Sequence, residues 1–311
     1  MRLAVTGGSG FIGSHVVRRL RGAGHEVLNL DQNGAGATVV DICDTEKMKA
    51  ALRGFGAEYV FHLAGVADAR DALENPVRAV QVNVAGTASV LEAARQTGVK
   101  RVIVASTCWV ANAMGSGVLE ETAQFLPEGA GHVYTTTKIA SEFLAHDFHK
   151  LYGLPFTILR YGIPYGPGMW SGLVLRNFFD RATAGQPLTI FGDGSASRRF
   201  VYVDDLARAH VQALQEVATN QIYNLEGMRF VTIKELAELV SRMLGGIEII
   251  YREEPTRVGE FQYFRKLISS NKAYIELDWQ PQIDLEEGVR RTIEWYRQEV
   301  LAEKSAGARA G

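Results

Sequence analysis

A glycine-rich turn near the start of the chain restricts the fold more than any other feature. Gly7, Gly10 and Gly13 stand in the run GGSGFIG, which follows a short apolar strand pattern and precedes helical spacing of apolar residues over 14–21. Glycine at these positions permits a sharp turn, lets the backbone approach a pyrophosphate and brings the helix close to the sheet. The helix N-terminus then presents N–H groups to the anion. The run therefore predicts a strand, turn and helix that bind a dinucleotide.

An acidic residue follows the glycine turn at a distance typical of such sites. Asp31 ends the next strand pattern, 18 residues beyond Gly13. A carboxylate there can accept hydrogen bonds from the adenosine ribose and would repel a 2′-phosphate. Residues 32–46 contain no Lys or Arg, so the pattern favours NAD over NADP. The alternative is an aspartate in a solvated loop.

Strand and helix patterns alternate through the first half of the chain. Further strand patterns lie at 59–63, 101–106 and 156–160, and helical patterns at 45–52, 76–97 and 134–151. This order predicts an α/β fold of the Rossmann type, with a doubly wound parallel sheet and ligands at the carboxyl ends of its strands. Beyond residue 160 the rhythm weakens into Gly- and Pro-rich loops. We predict a Rossmann domain over 1–162, to which 199–224 returns, and a smaller C-terminal α/β substrate lobe over 163–198 and 225–311.

Composition excludes several classes of partner. The 33 Lys and Arg against 35 Asp and Glu give a formal charge of -2, which provides no general attraction for nucleic acid or anionic membrane. No signal peptide or uninterrupted run of about 18 apolar residues is seen. Two cysteines fit a reducing cytoplasm. The seven histidines lack metal-ligand spacing, so we predict a cytoplasmic protein without a metal.

A tyrosine and a lysine lie four residues apart on one predicted helix. Tyr134 and Lys138 share a helix face. A nearby positive charge favours phenolate, so Lys138 and an oxidised nicotinamide are expected to lower the pKa of Tyr134 from about 10 toward general-base chemistry. Thr107 ends the preceding strand pattern, where its hydroxyl can bond a substrate oxygen. The alternatives are that Tyr134 and Lys138 are an ordinary pair on the surface, and that Thr107 is a turn residue at the end of its strand.

Together these residues resemble the extended short-chain dehydrogenase/reductase family, in its NAD-dependent nucleotide-sugar epimerase and dehydratase branch, which includes UDP-glucose 4-epimerase. The resemblance runs from Arg2 to about Trp295. Further motifs that carry it are DI at 41–42, HLAG at 62–65, NVAGT at 83–87, LRY at 159–161, YGPG at 165–168, FGDG at 191–194, FVYVDD at 200–205 and RVGE at 257–260.

The resemblance implies a tightly held NAD and a nucleotide-sugar substrate. It implies that Tyr134 is the base, that Lys138 binds the ribose and that Thr107 contacts the hydroxyl being oxidised. The cofactor-binding positions it implies are Gly7, Gly10, Phe11, Ile12, Gly13, Asp31, Asp41, Ile42, Leu63, Ala64, Gly65, Asn83, Tyr134, Lys138 and Tyr161. The substrate-binding positions are Thr107, Cys108, Ile163, Arg198 and Arg257. Arginines suit a diphosphate because they are permanently charged, bidentate donors, although each could instead belong to a surface ion pair.

The chain also departs from the pattern of this family. Dehydratases of this branch usually follow the catalytic threonine with Asp-Glu, whereas Cys108 and Trp109 stand here; a thiol and an indole poorly replace two carboxyl groups. Epimerases usually carry an Asn at the position of Ile163, and His132 and Val133 replace the common Ser-Pro before the tyrosine. Cys108 is either a small inert residue or a reactive thiol beside the substrate.

These observations predict an NAD-dependent epimerase of a nucleoside-diphosphate sugar, acting by transient oxidation at C4 and return of hydride to the opposite face. The first alternative is an NAD-dependent dehydrogenase or reductase of a sugar, sugar acid or keto nucleotide sugar. A 4,6-dehydratase and a non-catalytic dinucleotide sensor are less favoured. The helical patterns over 76–97 and 134–151 resemble the four-helix dimer contact of the family, which predicts a homodimer.

Overall fold

A computed structural model describes residues 1–126, 129–253 and 266–301. Contacts divide these residues into two compact units. The first contains 1–126, 129–162, 206–226 and 266–280, and the second contains 163–205, 227–253 and 281–301. The sequence assigned every residue after 224 to the smaller lobe, so the return of 266–280 to the first unit is a difference from the predicted boundaries.

Seven strands of the first unit form one parallel sheet, and helices and two short strands lie around it. The strands of the sheet are β1 (Arg2–Thr6), β2 (Glu26–Asp31), β3 (Thr38–Val39), β4 (Tyr59–His62), β5 (Arg101–Thr107), β7 (Phe156–Tyr161) and β12 (Gln221–Leu225). The short strands are β6 (Val118–Leu119) and β15 (Leu267–Ile268). The helices are α1 (Phe11–Gly22), α2 (Thr45–Phe55), α3 (Ala69–Glu74), α4 (Pro76–Val80), α5 (Gly86–Thr97), α6 (Val133–Tyr152) and α10 (Asn271–Leu277).

The strand order β12-β7-β5-β4-β1-β2-β3 confirms the predicted Rossmann-type α/β fold. The chain moves from β1 to β2 and β3 on one side and to β4, β5, β7 and β12 on the other. The order therefore reverses beside β1, at the switch point where ligands bind in such sheets. All seven residues of β5 are buried, as expected of a strand covered on both faces. The turn that follows β1 is thus placed at the binding crevice of the fold.

Local sequence signals account for the ends of several helices. The Asp44 side chain accepts a hydrogen bond from the Lys47 amide and caps α2. Helices α2, α5 and α6 end at Gly56, Gly98 and Gly153, each in the left-handed conformation that glycine adopts at low cost. The helical pattern over 76–97 is interrupted by a π-helical turn over Gln81–Ala85, between α4 and α5.

The segment 266–280 covers the edge strand β12. The Asn224 side chain donates to the Ser269 carbonyl at 3.0 Å, and the Glu226 amide donates to the Ser270 hydroxyl at 3.0 Å. Strand β15 pairs in parallel with β6, and Trp279 is fully buried. The segment thus packs beside β12 and bonds a side chain of the strand and the residue that follows it, while the backbone amide of Asn224 donates to Glu121 Oε1 at 2.8 Å.

The second unit contains short strand pairs and three helices. Its elements are β8 (Ile163–Tyr165), α7 (Val174–Thr183), β9 (Leu188–Phe191), β10 (Ser197–Arg198), β11 (Phe200–Tyr202), β13 (Val231–Thr232), α9 (Ile233–Met243), β14 (Ile249–Arg252) and α11 (Leu285–Trp295). Helix α8 (Val203–Gln212) follows β11 in the chain. Strand β8 pairs with β11 and β9 with β14 in parallel, and β10 pairs with β13 antiparallel. None of the helices in the described residues is long and apolar enough to span a membrane.

Candidate active site

The glycine turn after β1 has no room for side chains. A Cβ on Gly7 would lie 2.7 Å from the amide nitrogen of Ala64, and one on Gly13 would lie 2.0 Å from the carbonyl oxygen of Gly7. Gly7 also has a φ of +71°, which disfavours other residues. The first bond within α1 joins the Ser14 amide to the Gly10 carbonyl at 2.9 Å. The turn thus brings backbone and the positive end of α1 to the crevice, as a pyrophosphate requires.

Asp31 lies beside this turn. Its Oδ2 accepts a hydrogen bond from the Ser9 amide at 2.9 Å, and its Oδ1 accepts one from the Gln32 amide at 2.8 Å. Asp31 ends β2, the strand next to β1. A carboxylate held there, next to the glycine turn, fits a ribose hydroxyl as the sequence predicts.

Asp41 and Ile42 follow β3 on the same side of the sheet. The Asp41 side chain accepts a hydrogen bond from the Cys43 amide at 2.9 Å. Ile42 is buried and packs so closely on Gly86 that a Cβ there would meet its Cδ1 at 2.7 Å. The predicted adenine-side pair is therefore fixed against the start of α5.

Asn83 lies on the π-helical turn Gln81–Ala85. Its Oδ1 accepts from the Val66 amide at 2.7 Å, while its Nδ2 donates to the Val66 carbonyl at 3.1 Å and to the Thr137 hydroxyl at 2.9 Å. A Cβ on Gly65 would lie 2.9 Å from this Oδ1. π-helical turns are frequent at functional sites because they redirect one side chain. Here the turn directs Asn83 to the loop after β4 and to α6.

The three predicted catalytic residues lie together at the carboxyl end of β5. The Tyr134 hydroxyl hydrogen-bonds with the Thr107 side chain. One turn along α6, the Lys138 ammonium donates to the Ala105 carbonyl at 3.1 Å. The same ammonium lies 3.7 Å from the position of a Cβ on Gly65. A base candidate, a hydroxyl and a cation therefore share one buried corner of the first unit.

Burial controls the acidity of this corner. Burial raises the pKa of Tyr134 well above its ordinary value, the Thr107 hydrogen bond opposes that rise and Cys108 adds to it. The lowering of this pKa by Lys138 together with an oxidised nicotinamide concerns the loaded site and stays a prediction. Burial lowers the pKa of Lys138 itself to about 8, against the opposing charge of Glu142. A phenol at this position needs additional positive charge before it ionises near neutral pH.

Two aromatic residues that the sequence flagged only as departures lie in a row beside Tyr134. The His132 ring stacks on the Tyr134 ring at 5.8 Å with an interplanar angle of 15°, and Trp109 meets His132 edge-on at 5.7 Å. His132 also caps α6, since its Nδ1 accepts from the Thr135 amide at 3.1 Å. Burial lowers the pKa of His132 to about 4, so the ring is neutral near pH 7 and keeps this acceptor. The replacement of Ser-Pro by His-Val was the signal for this cap.

A directed chain of hydrogen bonds runs beneath the site, and sequence reasoning missed it. The Thr87 hydroxyl donates to the Asn83 carbonyl at 2.5 Å, so it accepts from His62 Nε2 at 3.0 Å. His62 Nδ1 then accepts from the Thr6 hydroxyl at 2.8 Å, and Thr6 accepts from the Ala64 amide at 3.3 Å. Burial lowers the pKa of His62 to about 3, which keeps this ring neutral. This series of hydrogen bonds joins β1, the loop after β4 and the π-helical turn.

A buried ion pair continues the face of α6 that carries Tyr134 and Lys138. Arg160 and Glu142 form a bidentate pair, with contacts of 2.9 and 2.7 Å, in which both side chains are almost fully buried. The Ser106 hydroxyl donates to Glu142 at 2.5 Å. Glu142 stands four residues after Lys138 and eight after Tyr134, a spacing that sequence reasoning could have read but did not.

The remaining predicted residues are more scattered. Tyr161 ends β7, and its hydroxyl hydrogen-bonds with His210 Nε2 at 2.7 Å. Cys108 is buried directly after Thr107. Ile163 and Arg198 belong to the second unit, where Ile163 pairs with Phe200 and Arg198 with Val231. Arg257 lies outside the described residues. In the described part of the chain no group of three or more His, Cys, Asp or Glu residues could hold a metal ion.

Comparison with known proteins identifies the family. Residues 3–225 match the family described as "NAD dependent epimerase/dehydratase family". The chain belongs to this family. The predictions of the family, of an enzyme and of NAD as its cofactor are thereby confirmed. The crevice fits NAD, because the glycine turn accepts only backbone at the switch point and Asp31 is held next to it.

Individual relatives cover nearly the whole chain. A UDP-glucuronate 4-epimerase of Thermodesulfobacterium geofontis is 30% identical, with 97% of this chain and 98% of the relative aligned. The crystal structure of UDP-glucose 4-epimerase from Thermotoga maritima with UDP-glucose matches with a TM-score of 0.84 at 32% identity, over 96% of this chain and 100% of that one. The Thermus thermophilus UDP-glucose 4-epimerase in complex with NAD matches with the same TM-score, identity and coverage. This family member thus has the fold of the solved epimerases.

Proposed function

We propose that the protein is an NAD-dependent epimerase that inverts C4 of a nucleoside-diphosphate sugar. The observation that carries this proposal is the buried hydrogen bond between Tyr134 and Thr107, one helical turn from the Lys138 ammonium. The substrates named for the similar proteins, UDP-glucose and UDP-glucuronate, support a UDP-sugar.

The residues of the corner divide the proton chemistry between them. Thr107 holds the C4 hydroxyl, and Tyr134 takes its proton and later returns it. Lys138 supplies one positive charge near the phenol. When bound, NAD supplies a hydride acceptor and a second positive charge. Because burial alone keeps Tyr134 protonated, the base becomes effective only where both charges are present, which restricts proton removal to the loaded site.

The cofactor would be held by three groups of residues. Backbone at Gly7, Gly10 and Gly13 and the first turn of α1 suit the pyrophosphate, and Asp31 suits the adenosine ribose. We assign the remaining cofactor contacts, from the adenine side to the catalytic corner, to a third group, namely Asp41, Ile42, Leu63, Ala64, Gly65, Asn83, Tyr161 and Lys138.

We also propose a role for the second unit. It carries Ile163 and Arg198, which we assign to substrate binding together with Arg257. A guanidinium suits the diphosphate, because its donors match pairs of phosphate oxygens.

The decisive experiment is a direct assay of C4 inversion. Protein is incubated with UDP-glucose, UDP-galactose or UDP-glucuronate, and the product is identified by proton NMR. We expect inversion, and a drop of about 10³-fold in kcat for Tyr134→Phe, in the range lost with a general base. Tyr152→Phe, at an exposed position on the same helix, is the matched control. If no sugar nucleotide is inverted, the proposal fails.

One departure favours a second candidate, an NAD-dependent dehydrogenase or reductase. Ile163 stands where epimerases of this branch usually carry Asn. Stoichiometric accumulation of NADH during the same assay would select this candidate, whereas epimerisation leaves no net NADH. Dehydration remains disfavoured, since Cys108 and Trp109 occupy the positions of the acid pair. A sensor without catalysis is excluded once Tyr134→Phe abolishes a measured turnover.

We further propose that the protein is a cytoplasmic homodimer. Val80, Val84, Val133 and Ala140 line an apolar groove on α4, α6 and the π-helical turn. On the same helices, Val77 and Phe143 expose 69% and 52% of their surface. A second copy would remove these apolar side chains from water. Both cysteines are free thiols, which supports a reducing compartment.

A further inference from the structure

A short 3-10 helix forms one wall of the proposed active site. It spans Cys108–Ala113 and starts at Thr107, whose hydroxyl accepts a hydrogen bond from the Trp109 amide at 3.2 Å. Its Trp109 ring contacts His132, which stacks on Tyr134. A displacement of this helix would therefore move Thr107 and the aromatic neighbours of Tyr134 together.

Lys266 binds the other end of this 3-10 helix. Its ammonium donates to the carbonyls of Ala111 at 2.5 Å, Asn112 at 3.2 Å and Met114 at 2.6 Å. A lysine ammonium has three donors, and these three carbonyls use all of them. The Ala111 carbonyl also accepts from the Met114 amide at 3.0 Å, whereas the other carbonyls at the end of a helix generally have no partner within it and carry partial negative charge. The ammonium therefore satisfies the end of the 3-10 helix in both hydrogen bonding and charge.

The bonding of Lys266 differs from that of an ordinary surface lysine. The side chain is partly buried, and burial lowers its pKa. Within the part of the chain that the structure describes, its partners are backbone carbonyls more than 150 residues away in sequence, not a carboxylate. Holding a partly desolvated ammonium in place costs free energy, which these three hydrogen bonds offset.

We propose that Lys266 is a positioning residue for the reaction. It fixes the Cys108–Ala113 helix, and through it Thr107 and the Trp109 ring, which contacts the His132 ring that stacks on Tyr134. The inference rests on the proposed function, because it assigns Thr107 and Tyr134 to catalysis. Loss of the ammonium then slows turnover by displacing the catalytic hydroxyls, while the glycine turn that binds the cofactor is unaffected.

Lys266→Met tests the proposal, since methionine keeps an unbranched apolar stem and removes the donors. We expect kcat for C4 inversion to fall about tenfold, within the range that misplaced groups cost, with the Kd for NAD unchanged. In protein labelled with 5-fluorotryptophan, the fluorine signal of Trp109, assigned with Trp109→Phe, should shift. The control is Lys272→Met, which removes a lysine of the same chain segment that donates to Gln221 at 2.6 Å; it should change neither quantity.

A second variant separates positioning from general folding. Lys266→Ala leaves the three carbonyls without a cation, and added propylammonium should restore kcat and the Trp109 signal. An unchanged kcat and Trp109 signal in Lys266→Met would overturn the proposal. So would a parallel fall in kcat, NAD affinity and melting temperature that propylammonium does not reverse. If the parent protein inverts no sugar nucleotide, the proposed function fails, and the Trp109 signal alone then decides whether Lys266 holds the 3-10 helix.

Discussion

Single residues near Tyr134 owe their acidity to burial more than to their charged neighbours. Burial raises the pKa of Tyr134 and lowers that of Lys138 to about 8. The charge of Glu142 opposes the second shift, although Arg160 pairs with the same carboxylate. The usual expectation that the lysine of such a pair sets the tyrosine pKa is therefore incomplete here. It leaves out the desolvation of both groups.

Glu142→Gln should shift the pH dependence of activity. Removing a negative charge near Lys138 disfavours its protonated form, so its pKa falls below about 8. Activity that requires the ammonium is present below this pKa and is lost as pH rises through it. The alkaline limb of kcat/KM, which reports the free enzyme, therefore moves to lower pH. Ala105, Gly65, neutral His62 and Tyr134 are the other groups near the ammonium, and none of them carries a compensating negative charge at neutral pH.

The control for this pH shift is Glu92→Gln. Glu92 pairs with Arg95 on α5, and both side chains are partly exposed, so solvent screens their charges. Its removal should leave the alkaline limb in place. An alkaline limb that stays unmoved in Glu142→Gln would show that a group other than Lys138 produces it.

Asp31→Ala should reduce the preference for NAD over NADP. The carboxylate beside the glycine turn is expected to bond the ribose of NAD and to repel a 2′-phosphate. The Kd for NADP divided by the Kd for NAD, both measured by calorimetry, should therefore fall by about tenfold, as expected for loss of one charge-assisted interaction. Asp44→Ala, in the partly exposed cap of α2, is the control. An unchanged ratio would refute the ribose role of Asp31.

At the scale of elements, the sequence predicts the glycine turn, the strand ends and the face of α6. It does not predict the hydrogen bonds that join these elements. Gly7, Asp31 and Tyr134 act through local backbone geometry or through their place at a strand or helix end, and sequence shows both. The π-helical turn and the His62 chain depend on residues brought together by the sheet. Apolar periodicity over 76–97 describes a helix with or without that turn.

Thr87→Val should destabilise the first unit. Valine has nearly the same shape as threonine but cannot donate to the Asn83 carbonyl or accept from His62. The Asn83 carbonyl still accepts from the Ser141 hydroxyl, but the buried His62 Nε2 loses its acceptor. A buried donor without a partner costs about 1–3 kcal/mol, measured as the change in free energy of unfolding in urea. Thr97→Val, on the same helix, removes a hydroxyl that bonds only carbonyls one turn back, and should cost under about 1 kcal/mol. Equal decreases in the free energy of unfolding in the two variants would contradict a special role for the hydrogen bonds around His62.

At the scale of the whole molecule, family, fold class and cofactor follow from ordered motifs spread over most of the sequence. The segment 266–280 was assigned to the wrong unit, because composition and periodicity do not say which sheet edge a distant segment covers. The partners of Asn224 and of the 3-10 helix wall lie in that segment. These two sets of contacts join residues that are far apart in sequence, and local sequence patterns do not show such contacts.

The proposed homodimer predicts a specific change in mass. Val80→Asp places a charge in the apolar groove of α4 and α6, and a buried unpaired charge opposes association. Light scattering after gel filtration should give a dimer for the parent protein and a monomer for the variant. Val39→Asp, at an apolar position that is 71% exposed on β3, should remain dimeric. A monomeric parent protein would exclude the dimer.

The return of residues 266–280 to the edge of β12 has a consequence for biosynthesis. While a ribosome is still translating the chain, Asn224 and Glu226 have emerged well before Ser269 and Ser270, their eventual partners. Strand β12 therefore lacks this cover until residues 266–280 have been translated as well. An N-terminal fragment that stops near residue 226 would lack this cover permanently. Its edge strand β12 would then tend to pair with strands of other chains.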